Sequence, residues 1–285
     1  MNIIDLIIPA GDDALKLRGY GDDAVNSLTR LAGLLDCPLV PANTAVKPDV
    51  ELLSPGVETI DPQTIVYKMR GYRLLWRRQT FVVCRGKNVV YPESYEKVEW
   101  RMLIALAHAQ AMIDCREIVI LHGVLLGEPL PGTLLFGPSG VGKSTTMRRF
   151  QDAGGVGLAD DMVLIGRHKE QVVTRPLPTW KEFKYAPLLY STPLHPARRL
   201  LCLSRAAAPN EEERIAPIDH DTFLGDLYAA MLLHVKYALE LLPEAEARRG
   251  ARHVWNMAER LTNHFTPRTL FARLDADILK TLESS

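Results

Sequence analysis

Gly132-Thr133-Leu134-Leu135-Phe136-Gly137-Pro138-Ser139-Gly140-Val141-Gly142-Lys143-Ser144-Thr145 joins a short apolar run to a glycine-rich stretch that ends in lysine and serine. From Gly137 to Ser144 it fits the pattern G-x-x-x-x-G-K-[ST], the Walker A pattern of a P-loop, at every fixed position. Glycines let the backbone curl so that successive N–H groups point inward, where they can meet phosphate oxygens. A helix starting near Lys143 adds its positive N-terminal end. The spacing therefore predicts that Gly137, Pro138, Ser139, Gly140, Val141, Gly142, Lys143, Ser144 and Thr145 surround the phosphates of a nucleotide. Lys143 is expected to reach the β- and γ-phosphates as a mobile point charge, and the Ser144 hydroxyl to become a Mg²⁺ ligand. The competing reading is a glycine turn with no ligand. A flanking apolar strand and a following helix weigh against it.

Working outward, Glu117–Leu126 and Gly132–Phe136 read as strands, Thr145–Gln151 continues the helix, and Val156–Ile165 reads as a further strand. Strand, glycine loop, helix, strand is the core unit of a phosphate-loop domain. Asp160-Asp161 falls inside or at the end of the last strand. In a parallel sheet, strand ends beside such a loop face the ligand crevice. One carboxylate there can hold Mg²⁺, and the other can accept the proton of an attacking hydroxyl. Adjacent strand residues point to opposite faces, so the two need not share one task. On spacing alone, His122, in Ile120-Leu121-His122-Gly123-Val124, reads as a core histidine of an apolar strand.

The first part of the chain, to about residue 95, is harder to read. Val25, Leu28, Leu31, Leu34 and Leu35 have helical spacing, which predicts a helix over 22–36. Residues 37–64 are rich in Pro and polar side chains and read as loop with short extended pieces. Four β-prone runs follow, Ile65–Met69, Tyr72–Trp76, Thr80–Cys84 and Asn88–Tyr91, and predict an antiparallel meander. Residues 94–114 read as one amphipathic helix capped by Ser94. Toward the end, Arg198–Leu203 and Thr269–Leu274 read as strands. Asp221–Glu240 and Glu244–Asn263 read as helices broken by Pro243, and another helix is expected from Asp275.

The 285 residues include 34 Lys plus Arg and 34 Asp plus Glu, so no global field draws in nucleic acid or a membrane. The chain is long enough to bury a core without disulfides. Cys37, Cys84, Cys115 and Cys202 lack the spacing of a zinc or redox motif and are expected to be small buried hydrophobes. The N-terminus shows no basic region followed by a long apolar run, and no stretch is long enough to span a bilayer, which predicts a cytoplasmic protein. Arg175, Lys181 and Lys184 read equally as groups that neutralise phosphate or grip an acidic substrate, or as a solvated charged face. Asp219-His220-Asp221 reads as a helix N-cap rather than a metal cluster. His234 reads as packing on an apolar helix face. Arg248, Arg249 and Arg252 form a patch too short for nucleic-acid binding.

Three motifs together carry a family resemblance. Leu121-His122-Gly123-Val124, the loop Gly137–Ser144 and Leu158-Ala159-Asp160-Asp161 agree in order and spacing with the catalytic core of the HPr kinase/phosphorylase family, over about 45 residues. The resemblance implies an α/β fold with a phosphoenolpyruvate carboxykinase-like P-loop kinase core over residues 95–285, and leaves residues 1–94 as a smaller N-terminal α+β region. It implies ATP and Mg²⁺ as cofactors, with Lys143 on phosphate and Ser144 and Asp160 at the metal. Asp161 becomes the proton acceptor from a substrate serine, and His122 an active-site residue beside the aspartates. Thr145 stands where the enzymes acting on HPr usually carry Glu. Thr174–Lys184 lacks their downstream segment rich in Glu, Arg and Gly. The chain therefore looks more like the divergent HPr-kinase-related proteins, some of which accompany peptide-modification cassettes and phosphorylate a serine on a precursor peptide. A protein or peptide substrate is the expected partner, and the family's habit of assembling suggests a homo-oligomer. The rival readings are a kinase for a small hydroxylated molecule, such as a free amino acid, and a nucleotide-binding regulator without transfer activity.

Overall fold

A computed structural model of the chain describes residues 2–43, 45–57, 65–69, 72–77, 79–86, 93–177, 194–205, 212–273 and 278–283. The chain divides into two compact units, Met1–Ile118 with Val235–Ala251, and Val119–His234 with Arg252–Ser285. Both are mixed α/β.

In the first unit, β1 (Ile3–Ala10) and β2 (Asp13–Tyr20) form a hairpin, followed by α1 (Asp22–Leu35), β3 (Leu39–Pro41) and β4 (Val50–Leu53). Next come β5 (Ile65–Met69), β6 (Tyr72–Arg77), β7 (Thr80–Arg85) and α2 (Glu93–Ile113). The seven strands lie in the order β3-β1-β2-β4-β7-β6-β5. β2, β4 and β7 run parallel, and the other pairings are antiparallel. The meander expected from residue 65 is present through β7, and its fourth run, Asn88–Tyr91, lies outside the described residues. Helix α2 starts at Glu93, so Ser94 lies inside the helix rather than at its cap.

The expected boundary near residue 95 differs from the observed division, because α2 packs on β2, β4 and β7 and so joins the N-terminal sheet. A charged cluster ties it there. Glu99 is fully buried and accepts from Ser27 Oγ at 2.6 Å and from Arg85 Nε and Nη2 at 2.8 and 2.7 Å. Trp100 Nε1 donates to Ser27 Oγ at 3.1 Å. Truncating one member of such a network leaves a buried polar group without its partner. Ser27→Ala removes the hydroxyl that joins Trp100 Nε1 to Glu99, while Glu99 keeps Arg85. It is expected to destabilise the first unit by about 1–3 kcal/mol, measured as a lower urea midpoint at unchanged slope by tryptophan fluorescence.

In the second unit, β8 (Val119–Leu126), β9 (Thr133–Phe136), α3 (Lys143–Asp152), β10 (Gly157–His168) and β11 (Gln171–Pro176) come first. They are followed by β12 (His195–Pro196), β13 (Arg199–Arg205), β14 (Arg214–Pro217) and α4 (His220–Leu232). A short α5 (Lys236–Leu239) belongs to the first unit, and α6 (Glu244–His264) belongs to it through Ala251 and to the second unit beyond. β15 (Arg268–Ala272) and α7 (Ile278–Glu283) close the chain. Where one helix was expected over Asp221–Glu240, the chain forms α4 and α5, interrupted at Leu233–Val235. Asp219 caps α4, its carboxylate accepting from Thr222 N at 3.0 Å.

The eight strands lie in the order β12-β11-β10-β8-β9-β13-β15-β14. β9, β13 and β15 are parallel neighbours. The strands flanking the glycine loop and its helix, β9 and β10, are not neighbours: β8 lies between them, antiparallel to both. The sheet, read as parallel around the loop, is thus a mixed one. A strand inserted antiparallel between two others leaves those two pointing the same way, so β9 and β10 still share a direction. Leu135, Leu201, Leu203, Val124 and Leu126 pack against Met147 and Phe150 of α3 and against Ile278 and Leu282 of α7. Phe136 meets Phe223 of α4 edge-to-face, with ring centroids 5.0 Å apart. This alternation along β9 covers both faces of the sheet with helices.

Among the described residues, no helix is long and apolar enough to cross a membrane. Cys37, Cys84 and Cys202 are buried as expected, whereas Cys115 is exposed.

Candidate nucleotide and phosphoryl-transfer site

Ladder register brings the motifs into one place. Asp161 pairs with Gly123, and Gly123 pairs with Phe136, the last residue of β9 before the loop. His122 pairs with Met162, one step along. Residues separated by up to about 40 positions in sequence thus lie side by side across three strands.

The loop leaves β9 through Gly137 at φ +149, where an added Cβ would lie 2.7 Å from the Leu203 carbonyl oxygen. Gly142, at φ +112, turns the chain into α3. Neither conformation suits an L side chain, which is why glycine stands at both positions. Lys143 opens α3 almost fully buried, and its ammonium donates back to the carbonyls of Gly137 at 2.9 Å and Pro138 at 3.1 Å. Burial pushes the Lys143 ammonium below the ordinary lysine range, while Asp161 and Asp160 oppose that shift by their charge. Ser144 Oγ donates to Asp160 Oδ1 at 2.8 Å. Asp160 pairs with Val124, whose side chain lies in the core beneath α3, so its carboxylate emerges on the side of that helix.

Asp161 breaks the strand alternation. Its φ is +107, a conformation uncommon for any residue with a side chain. Holding it there costs on the order of 1–3 kcal/mol, so surrounding bonds must fix it. They are present: His122 Nδ1 lies 2.7 Å from Asp161 Oδ1 and 3.2 Å from the Asp161 carbonyl oxygen, and His234 Nε2 lies 3.1 Å from the same carbonyl. Carbonyl and carboxylate oxygens accept, which assigns ring protons to Nδ1 of His122 and Nε2 of His234. The two aspartates, expected on opposite faces, consequently line one cavity.

That cavity measures about 450 Å³ and is lined by His122, Ser139, Gly140, Gly142, Lys143, Ser144, Thr145, Asp160, Asp161 and Arg205. Gly137, Pro138 and Val141 form the base and turn of the same loop without lining it. The volume lies in the range of small-ligand clefts. Ser144 and Asp160 present oxygen donors side by side, the donor type Mg²⁺ prefers.

Two members of the neighbourhood were not anticipated. His234, read as packing, instead holds the Asp161 carbonyl. Arg205 ends β13 beside the loop and donates through Nη2 to the Gly140 carbonyl. A basic residue at the C-terminal end of a strand parallel to β9 is the one signal by which it could have been found. No spacing marks His234. Of the charged residues weighed downstream, Arg175 is buried on β11 rather than solvated, and Lys181 and Lys184 lie outside the described residues. Arg248 pairs with Glu244 on its own helix. Beside the loop, Cys202 lies 3.5 Å from Asp226, and burial pushes its thiol up to about 12.

No protein-family model and no curated protein matches this chain. Among solved structures, that of the Hpr(Ser) kinase/phosphatase from Coxiella burnetii is similar over 35% of this chain and 77% of the other, at 18% identity and a TM-score of 0.26.

Proposed function

We propose that this chain is an ATP-dependent kinase that transfers the γ-phosphoryl group to a serine hydroxyl of a protein or precursor peptide. One observation carries the reading: the 2.8 Å contact between Ser144 Oγ and Asp160 Oδ1, at the mouth of a loop whose lysine is already buried beneath it. The hydroxyl at the start of α3 and the strand carboxylate are the pair that would hold Mg²⁺. When bound, that ion would neutralise charge on the phosphate oxygens. Loop amides and Lys143 would position the triphosphate, and Arg205 stands where it can add a second positive charge.

Asp161 would take the proton as the acceptor oxygen attacks the γ-phosphorus and the bond to the bridging oxygen of ADP breaks. His122, 2.7 Å from the Asp161 carboxylate, keeps it aimed. Phosphoryl transfer asks little more of a protein than placement and charge neutralisation. The serine acceptor is inferred from the resemblance of the three motifs rather than from the cavity.

The test is a transfer assay with Mg²⁺ and γ-labelled ATP, offering serine-containing peptides and free serine in parallel. Label is expected in the peptides. Label in free serine alone would replace this reading by a small-molecule kinase. Tight ATP binding without transfer to any acceptor would replace it by a nucleotide-binding regulator.

A further inference from the structure

Opposite the glycine loop and its two oxygen donors, one side of the cavity carries nitrogen as well as oxygen donors. His122 from β8 and Asp161 from the middle of β10 line it, and His234, in the segment just after α4, stands behind them on the Asp161 carbonyl. One donor atom from each of the three lies within 4.8 Å of the others. All three side chains are partly exposed, so an ion can reach them from solvent.

We propose that His122, Asp161 and His234 form a binding site for a borderline-soft divalent cation, Zn²⁺ above all, separate from the Ser144–Asp160 oxygen pair. Tetrahedral Zn²⁺ takes imidazole nitrogen and carboxylate oxygen at about 2.0–2.2 Å, which puts its ligands on the order of 3.3 Å apart. The pair His122 Nδ1 and Asp161 Oδ1, now 2.7 Å apart, needs to open only slightly. Two imidazoles and one carboxylate leave a fourth position for water or substrate. Both rings currently spend a proton on Asp161, His122 on its carboxylate and His234 on its carbonyl. When the cation binds, each ring carries its proton on the other nitrogen and turns the lone pair of the contacting nitrogen to the metal, so two hydrogen bonds are replaced by metal bonds.

Donor type separates the two subsites. Imidazole suits Zn²⁺, and an all-oxygen pair suits Mg²⁺. A cation held on Asp161 occupies the carboxylate lone pairs that would otherwise accept the substrate proton. Zn²⁺ is therefore an inhibitor that leaves the nucleotide in place. The inhibition rests on the kinase reading above, whereas the cation site does not.

The experiment titrates the full chain with Zn²⁺, and with Co²⁺ as a visible reporter of tetrahedral coordination, in excess Mg²⁺ and without nucleotide. A tight site with tetrahedral Co²⁺ absorption is expected. His234→Ala, His122→Ala and Asp161→Asn should each weaken it at least about tenfold. Lys143→Ala, which disables the nucleotide loop and removes a positive charge acting on Asp161, should not weaken it. His234→Gln, with a circular dichroism spectrum matching the parent, guards against a folding defect. Zn²⁺ affinity that survives His234→Ala and His234→Gln, or that Mg²⁺ abolishes, overturns the site. In a second arm, transfer is measured against Zn²⁺. If the chain transfers no phosphate, the kinase reading fails while the titration still decides the cation site. If it transfers and Zn²⁺ binds without inhibiting, the assignment of Zn²⁺ to Asp161 is overturned.

Discussion

Asp161→Asn is expected to lower the phosphoryl-transfer rate about 10²–10⁴-fold, the usual worth of a positioned general base, with ATP affinity almost unchanged. The substitution isolates proton acceptance for three structural reasons. Asn has the size of Asp, so the cavity keeps its shape. Its amide oxygen can still accept from His122 Nδ1, which now lies 2.7 Å from Asp161 Oδ1. Asn also tolerates a positive φ better than most side chains, so the backbone at φ +107 has no reason to relax. An alanine at this position would remove the carboxylate and its histidine contact together, and its result would be ambiguous. The measurement is kcat for transfer beside a separate binding constant for ATP. Full activity in the Asn variant would show that Asp161 is not the base. Attention would then move to Asp160, whose carboxylate already accepts from Ser144.

How far this site could be read from residues alone depends on how local each signal is. The loop and the Asp160-Asp161 pair were legible because each is a short run of unusual residue types at fixed spacing, whereas His122, a core histidine on spacing alone, entered only through the resemblance of the three motifs. The structure places all three motifs in one ladder row or next to it. Sheet order was not legible. The apolar run of β8 carries no mark of direction, so nothing warned that it enters between β9 and β10 and turns a parallel unit into a mixed sheet. His234 was unreadable for a related reason. It meets a residue 73 positions away, and a lone histidine after Met231-Leu232-Leu233 has the pattern of packing. The interruption between α4 and α5 is hidden because apolar residues keep a helical period through it.

The N-terminal hairpin shows how a buried charge defeats pattern reading. Asp5 and Arg18 are cross-strand partners in β1 and β2. Both are buried, and they form a two-pronged pair at 2.6 and 2.8 Å. Each charge taken singly spoils the apolar alternation of its strand. The pairing, which is invisible before the strands are aligned, makes both acceptable in a buried position, helped by the carbonyls of Asn43 and Val46 that accept from Arg18 Nη2.

Lys143→Ala should weaken ATP binding roughly 30-fold or more, the equivalent of about 2 kcal/mol and upward for truncating one partner of a buried charge contact. The ammonium is held almost out of solvent, donating to the carbonyls of Gly137 and Pro138. Without a ligand those two carbonyls are poor compensation for a desolvated charge, which is why burial leads the downward shift of its pKa. Phosphate oxygens arriving beside the ammonium would relieve that penalty, so the affinity of the loop for a triphosphate draws on a cost already present in the free protein. Removing the ammonium removes both the cost and the gain. Overall stability should therefore change little while binding falls. Arginine is no substitute, because a planar guanidinium cannot take the place of a compact point charge between two loop carbonyls. Calorimetric titration with ATP, ADP and AMP separates the two ways the variant could fail. If the lysine grips the distal phosphates, the loss is largest for ATP and smallest for AMP. An equal loss for all three would mean that the loop has collapsed without its lysine and that the grip on phosphate lies in the main-chain amides alone.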